Sequence, residues 1–193
     1  MRATHRTTYR LALCPISEYR RRLPHFHPDS AHLFVTWRLH GSLPASKPET
    51  YATPGHAFVA KDRALARGQS RLWLSDPRVA QRVVDAIHTG EREKELYEPQ
   101  AWVVMPNHVH LLILPRVALA QNTHWIKGKT AMEANRLLGR TGEPFWQDES
   151  YDHWARNERE FNRIVEYIEE NPVAAGLAAT AADWPWSSAT RAS

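Results

Sequence analysis

The stretch VVMPNHVHLLILP, residues 103–115, limits what this chain can fold into more than any other part of it. Two apolar runs meet at Pro106-Asn107, which is turn chemistry, so they read as the strands 98–106 and 108–115 of one hairpin. The second run looks like buried strand, yet it carries His108 and His110 on either side of Val109. Strand side chains alternate between faces. The two histidines therefore project side by side, ~7 Å apart along the strand, and Val109 points the other way. Polar groups rarely enter such a run without a reason. Either these are two core histidines with separate hydrogen-bond partners, or they are two ligands aimed at one metal ion.

The segments around the hairpin set the fold class. AHLFVTWRLH (31–40) is rich in β-formers and reads as a strand, while GSLPASKPETYATPG after it is a loop. DPRVAQRVVDAIHTGE opens on a cap, Asp76, with Pro77 in the first turn, and spaces Val79, Val83, Val84 and Ile87 as a helix does. Residues 119–140 read as a helix interrupted at Gly128. Residues 143–156 hold a short strand with an approach loop. NEREFNRIVEYIEENP gives a helix over 158–170, capped by Asn157 and ended at Asn171-Pro172. The first thirty residues read as irregular, broken by Pro15, Pro24 and Pro28. The expected class is α+β: a β-α-β-β-α-β order, ferredoxin-like or RRM-like, with an antiparallel sheet, helices on one face and a further C-terminal helix. The expected division is a basic extension (1–30), one domain (31–176) and a tail (177–193) in which Trp184 and Trp186 pack back.

That last helix bears on the histidines. Tyr167 and Asn171 lie four residues apart, on one face of it. Phe161, Ile164, Val165 and Ile168 form its buried stripe, and Tyr167 and Asn171 flank that stripe, roughly 110° and 70° from its centre. As bland alternatives, Tyr167 is a boundary aromatic and Asn171 a helix-end cap. Composition adds limits. Hydrophobic residues make up 42% of the 193, which is ordinary for a globular chain. No apolar run approaches the ~20 residues of a membrane helix, so no membrane role is expected. A single cysteine, Cys14, provides no disulfide framework. A cytoplasmic location is the natural expectation. Net charge is +4, gathered at Arg20, Arg21 and Arg22 and at Lys127, Lys129, Arg136 and Arg140. Such clusters suit a phosphate backbone, or are solvated faces.

WVVMPNHVHLLILP resembles the histidine-hydrophobe-histidine (HUH) motif of single-tyrosine transposases. FWQDESYDHWARNEREFNRIVEYIEENPVAAGL and DWPWSS resemble the C-terminal part of one branch, the REP-associated tyrosine transposases. The resemblance runs from about residue 20 to 190. It implies that His108 and His110 bind a metal, that Tyr167 is the nucleophile, and that Asn171 is a third, amide-type ligand where relatives often carry glutamine. It implies a nucleoid-associated enzyme that cleaves and rejoins single-stranded or hairpin DNA through a 5′-phosphotyrosine, with Mg2+ or Mn2+ as cofactor. The expected state is a monomer or a homodimer. On this reading Arg20, Arg21, Arg22, Lys127, Lys129, Arg136 and Arg140 contact the DNA backbone. Trp125, Trp146 and Trp154 either stack bases or fill the core. Tyr151 is a second possible nucleophile, and Asp152 and His153 beside it support the site or simply pack. The competing functions are a hairpin-binding protein without cleavage and a zinc protein built on the two histidines. Structural zinc usually wants four Cys/His ligands at short spacings, and this chain's are scattered.

Overall fold

The computed structural model describes residues 19–21, 23–25, 31–43, 58, 60, 62–65 and 71–191. The loop expected at 41–55 lies outside them from residue 44, as does Arg22. Within the supposedly irregular start, β1 (Tyr19–Arg21) and β2 (Leu23–His25) pair antiparallel. Then come β3 (Leu33–Arg38), a helical stretch α1 described at residues 58, 60 and 62–65, and α2 (Pro77–Arg92). These are followed by β4 (Tyr97–Val104), β5 (His108–Pro115), α3 (Leu119–Leu137), β6 (Tyr151–Trp154) and α4 (Glu158–Ala174). The main sheet has the order β4-β5-β3-β6 and is antiparallel throughout. This is the expected β-α-β-β-α-β arrangement.

Helices cover both faces of the sheet, not one. Val35, Trp37, Trp102, Val104, Val109 and Leu111 face α2 and α3 and meet Val79, Val83, Ile87, Ile126 and Ala134. Phe34, Ala101, Val103 and Leu112 face the other way, onto Ile168 of α4, with Phe161, Ile164 and Val165 beside it. The cause lies in β5, where every residue from His108 to Ile113 is buried. A strand that is apolar on both sides needs cover on both sides. Trp125, Trp146 and Trp154 all pack with the core on the α2/α3 face, so core filling is their role.

Two expected breaks in helices are absent. Gly128 sits inside an unbroken α3, held on either side by the buried Ile126 and Thr130. Pro172 lies inside α4, in the last turn, where one missing N–H is cheap. The helix closes only afterwards. Leu177 N–H donates to Pro172 O (2.8 Å) and Gly176 N–H to Val173 O (2.9 Å), with Gly176 at φ 70°. That pair of bonds is a Schellman close, and its left-handed residue favours glycine. Beyond it the tail returns to β4. Val104 N–H donates to Trp186 O (2.8 Å), Trp184 Nε1–H to Val104 O (3.0 Å), and Trp102 N–H to Ser188 Oγ (3.0 Å).

Candidate metal and nucleophile site

The register of β3 against β5 sets His110 opposite Thr36 and His108 opposite Arg38, all on the α4 face. Both imidazoles are fully buried. Each spends its Nδ1 on a neighbour: His108 on Asn107 Oδ1 (2.7 Å) and His110 on Thr36 Oγ1 (2.7 Å). The Asn107 carbonyl can only accept, so His108 carries its proton on Nδ1 and a lone pair on Nε2. The two Nε2 atoms then converge to 3.1 Å. The two rings thus face one another instead of turning to separate partners on opposite sides. Burial and the neighbouring His110 hold the His108 imidazolium down to about 3, against a smaller opposing pull from Asp62. His108 is therefore neutral, as a metal ligand must be.

The sequence reading missed a third group. Asp62, on α1, reaches in with Oδ1 at 3.3 Å from His108 Nε2 and 3.1 Å from His110 Nε2. Although close, Oδ1 is buried and has no aligned hydrogen-bond donor. The two Nε2 atoms and Oδ1 lie close enough together to hold one metal ion. Burial opposes the charged carboxylate, but His110, His108 and the Tyr167 hydroxyl together outweigh it and pull its pKa well below the usual range.

Helix α4 delivers the remaining pair. The Tyr167 hydroxyl donates to Asp62 Oδ2. Asn171 Nδ2 stands 3.3 Å from the same oxygen and 3.4 Å from His110 Nε2. Asn171 is no helix cap, since the helix runs three residues past it. Rotating its amide by half a turn would exchange Nδ2 for a ligand oxygen. Tyr167 is gripped by rings: Phe34 at 6.1 Å, Phe58 at 5.9 Å and His110 at 5.5 Å, each edge-on. Burial first, then the Asp62 charge, push its hydroxyl pKa well above the ordinary value. Tyr151 sits one layer away. It stacks on Phe58 at 4.4 Å and lies 6.3 Å from Phe34. His153 pairs with Glu160 at 2.8 Å, tying β6 to α4.

The expected DNA-binding cations Lys127, Lys129, Arg136 and Arg140 are not among the groups that meet at this point. Helix α3 lies across the sheet from the site. Its Lys127 Nζ donates to Gln147 O (2.7 Å) and Asp148 O (2.8 Å), fastening the approach to β6. Lys129 pairs with Glu133 at 2.8 Å, and Arg136 is exposed. Arg140 lies 3.9 Å over the Trp73 ring. Arg20 and Arg21 belong to β1. Among the described residues, no helix is long and apolar enough to cross a membrane.

A family model described as "Transposase IS200 like" matches residues 66–171. That span takes in His108, His110, Tyr167 and Asn171, and begins just after Asp62. A REP-associated tyrosine transposase of Escherichia coli (strain K12) is 32% identical over 92 residues, which are 47% of this chain and 53% of that protein. The chain thus spans about half the length of that curated relative. A solved REP-associated tyrosine transposase bound to a REP hairpin aligns over 91% of this chain and 84% of its own. The TM-score is 0.56 at 23% identity, a likeness of fold.

Proposed function

The chain belongs to the IS200-like transposase family, and from that premise we propose that it is a metal-dependent DNA strand transferase acting through Tyr167. One observation carries the reading. The Tyr167 hydroxyl, the Asn171 amide, both imidazoles and the Asp62 carboxylate meet at a single point within one chain.

His108, His110 and Asp62 would hold the ion, with Asn171 able to add its amide oxygen. The carboxylate changes the donor set from two imidazoles and an amide to one richer in oxygen, which suits Mg2+ or Mn2+. Such an ion would polarise the scissile phosphate and offset its charge. Asn107 and Thr36 fix the two imidazoles so that each Nε2 faces inward. Asp62 and the ring cage hold the Tyr167 oxygen beside the same point, so nucleophile and phosphate are brought together before any bond changes. The tyrosine oxygen attacks phosphorus and the bond to the 3′ oxygen breaks. The phenol loses its proton and the departing 3′ oxygen gains one. A 5′-phosphotyrosine retains the ester, so a second 3′-hydroxyl can reverse the step and join strands. A paired backbone could not easily enter so enclosed a site, hence a single-stranded substrate. The hairpin held by the structurally similar transposase is, by extension, the element this chain would recognise. Because one chain supplies every group, the reaction would run in cis.

The test is covalent trapping on single-stranded and hairpin oligonucleotides with Mn2+ or Mg2+. The wild type forms a protein–DNA adduct, Tyr151→Phe keeps it, and Tyr167→Phe loses it. An adduct that survives Tyr167→Phe overturns the assignment. Hairpin binding without nicking in either ion overturns the activity.

A further inference from the structure

The end of β3 nearest the site carries a group of cations that the reaction above does not use. Arg38, across the ladder from His108, turns its guanidinium to Ser42 Oγ at 3.3 Å. Arg71 lies along the outside of the same turn. It packs so closely on Gly41 that a Cβ there would stand 3.0 Å from its Nε, and its Nη1 is 3.4 Å from His40 Nδ1. Arg71 is exposed and holds a left-handed backbone, φ 56°, which is uncommon outside glycine. Its guanidinium carbon is 5.4 Å from the Trp73 ring centre, and that of Arg140 is 3.9 Å from the same centre. The Arg140 Nε is buried without a hydrogen-bond partner. Among the described residues, no carboxylate forms an ion pair with Arg71 or Arg140.

We infer that Arg38, Arg71 and Arg140 form a phosphate track that guides the DNA backbone across the 38–42 turn to the metal and nucleophile site. Two guanidiniums gathered on one indole without a counter-ion repel each other, and an anion between them removes that cost. A guanidinium set over a ring can still offer its terminal Nη groups to a phosphate. Bases are not the ligand. Phe145 stacks on Trp73 at 5.4 Å and 21°, and Arg140 covers the ring as well, so no face is left for a base. The contact is therefore to the backbone and independent of sequence. The direction of the strand rests on the proposed function; the affinity for phosphate does not.

The full-length chain is titrated, without divalent ion, into a fluorescent mixed-sequence single-stranded DNA over a range of salt. Arg71→Gln weakens binding and flattens the plot of log K against log salt by roughly 0.7, the value for one lost single-strand phosphate. Arg140→Gln does the same. Arg82→Gln, an equal change of charge on helix α2 at a residue already paired with Asp85 (3.3 Å), leaves the slope alone. An unchanged slope in Arg71→Gln overturns the track, as does an equal loss in Arg82→Gln. The adduct assay judges the reaction separately, so either inference can fall without the other.

Discussion

In the proposed reaction, His108 and His110 would meet a cation only as well as Asn107 and Thr36 aim them. Each partner takes one ring nitrogen and so sets the direction of the other. Removing either, as Asn107→Ala or Thr36→Val, should weaken Mn2+ binding 10- to 100-fold, measured by calorimetric titration, with the fold intact. The same burial predicts acid sensitivity without metal. His108 falls from 6.5 unfolded to about 3 folded, so the unfolded chain binds more protons between those values. Stability is then fully present above pH 6.5 and is lost as pH falls toward 3, by up to about 1.4 kcal/mol per pH unit for one proton. Asp62, whose folded value lies below its ordinary 3.8, acts in the same direction at the acid end. Urea unfolding across pH 3–7 should show the slope, and His108→Gln should flatten it. Strand and helix periods made legible only that the histidines share one strand face and Tyr167 and Asn171 one helix face; the roles expected of them came from the family resemblance. Asp62 was not legible, because a lone carboxylate bears no periodic mark, and its 46- and 105-residue separations from His108 and Tyr167 are bridged only by the fold.

Two glycines separate what a helix needs from what its neighbours need. Gly90 of α2 lies against β4 and α3, where an added Cβ would come within 2.7 Å of Tyr97 Cζ and 3.0 Å of Trp125. Gly90→Ala should therefore destabilise by about 1–3 kcal/mol in urea unfolding. At Gly128 an added Cβ meets nothing within 4 Å, and Gly128→Ala should stabilise by about 0.5–1 kcal/mol. The strands of the main sheet, α2 and most of α4 were readable, because apolar spacing and the caps Asp76 and Asn157 agree on them, whereas the β1–β2 pair within the proline-broken start was not. Breaker residues misled where burial outweighed them. Gly128 is a weak penalty between anchored turns, and Pro172 falls where the ladder is already ending. The second helical layer escaped notice because β5 reads as apolar without saying what covers each face.

At the scale of the whole molecule, β4 is an edge strand of the main sheet, and the returning tail takes up part of its free hydrogen-bonding edge. Deleting the residues after 183 should expose Val104 N–H, lower the melting temperature and promote self-association, visible by light scattering. The candidate site also joins α1, β5 and α4, three segments far apart along the described chain. Its last contributor, α4, follows every strand of the sheet. A ribosome would therefore release all of the sheet before the nucleophile can dock, and local opening of α4 in the finished molecule would withdraw Tyr167 and Asn171 together. Under the proposed function, cutting power would be switched on only by completed folding and disarmed by partial unfolding, a built-in safeguard.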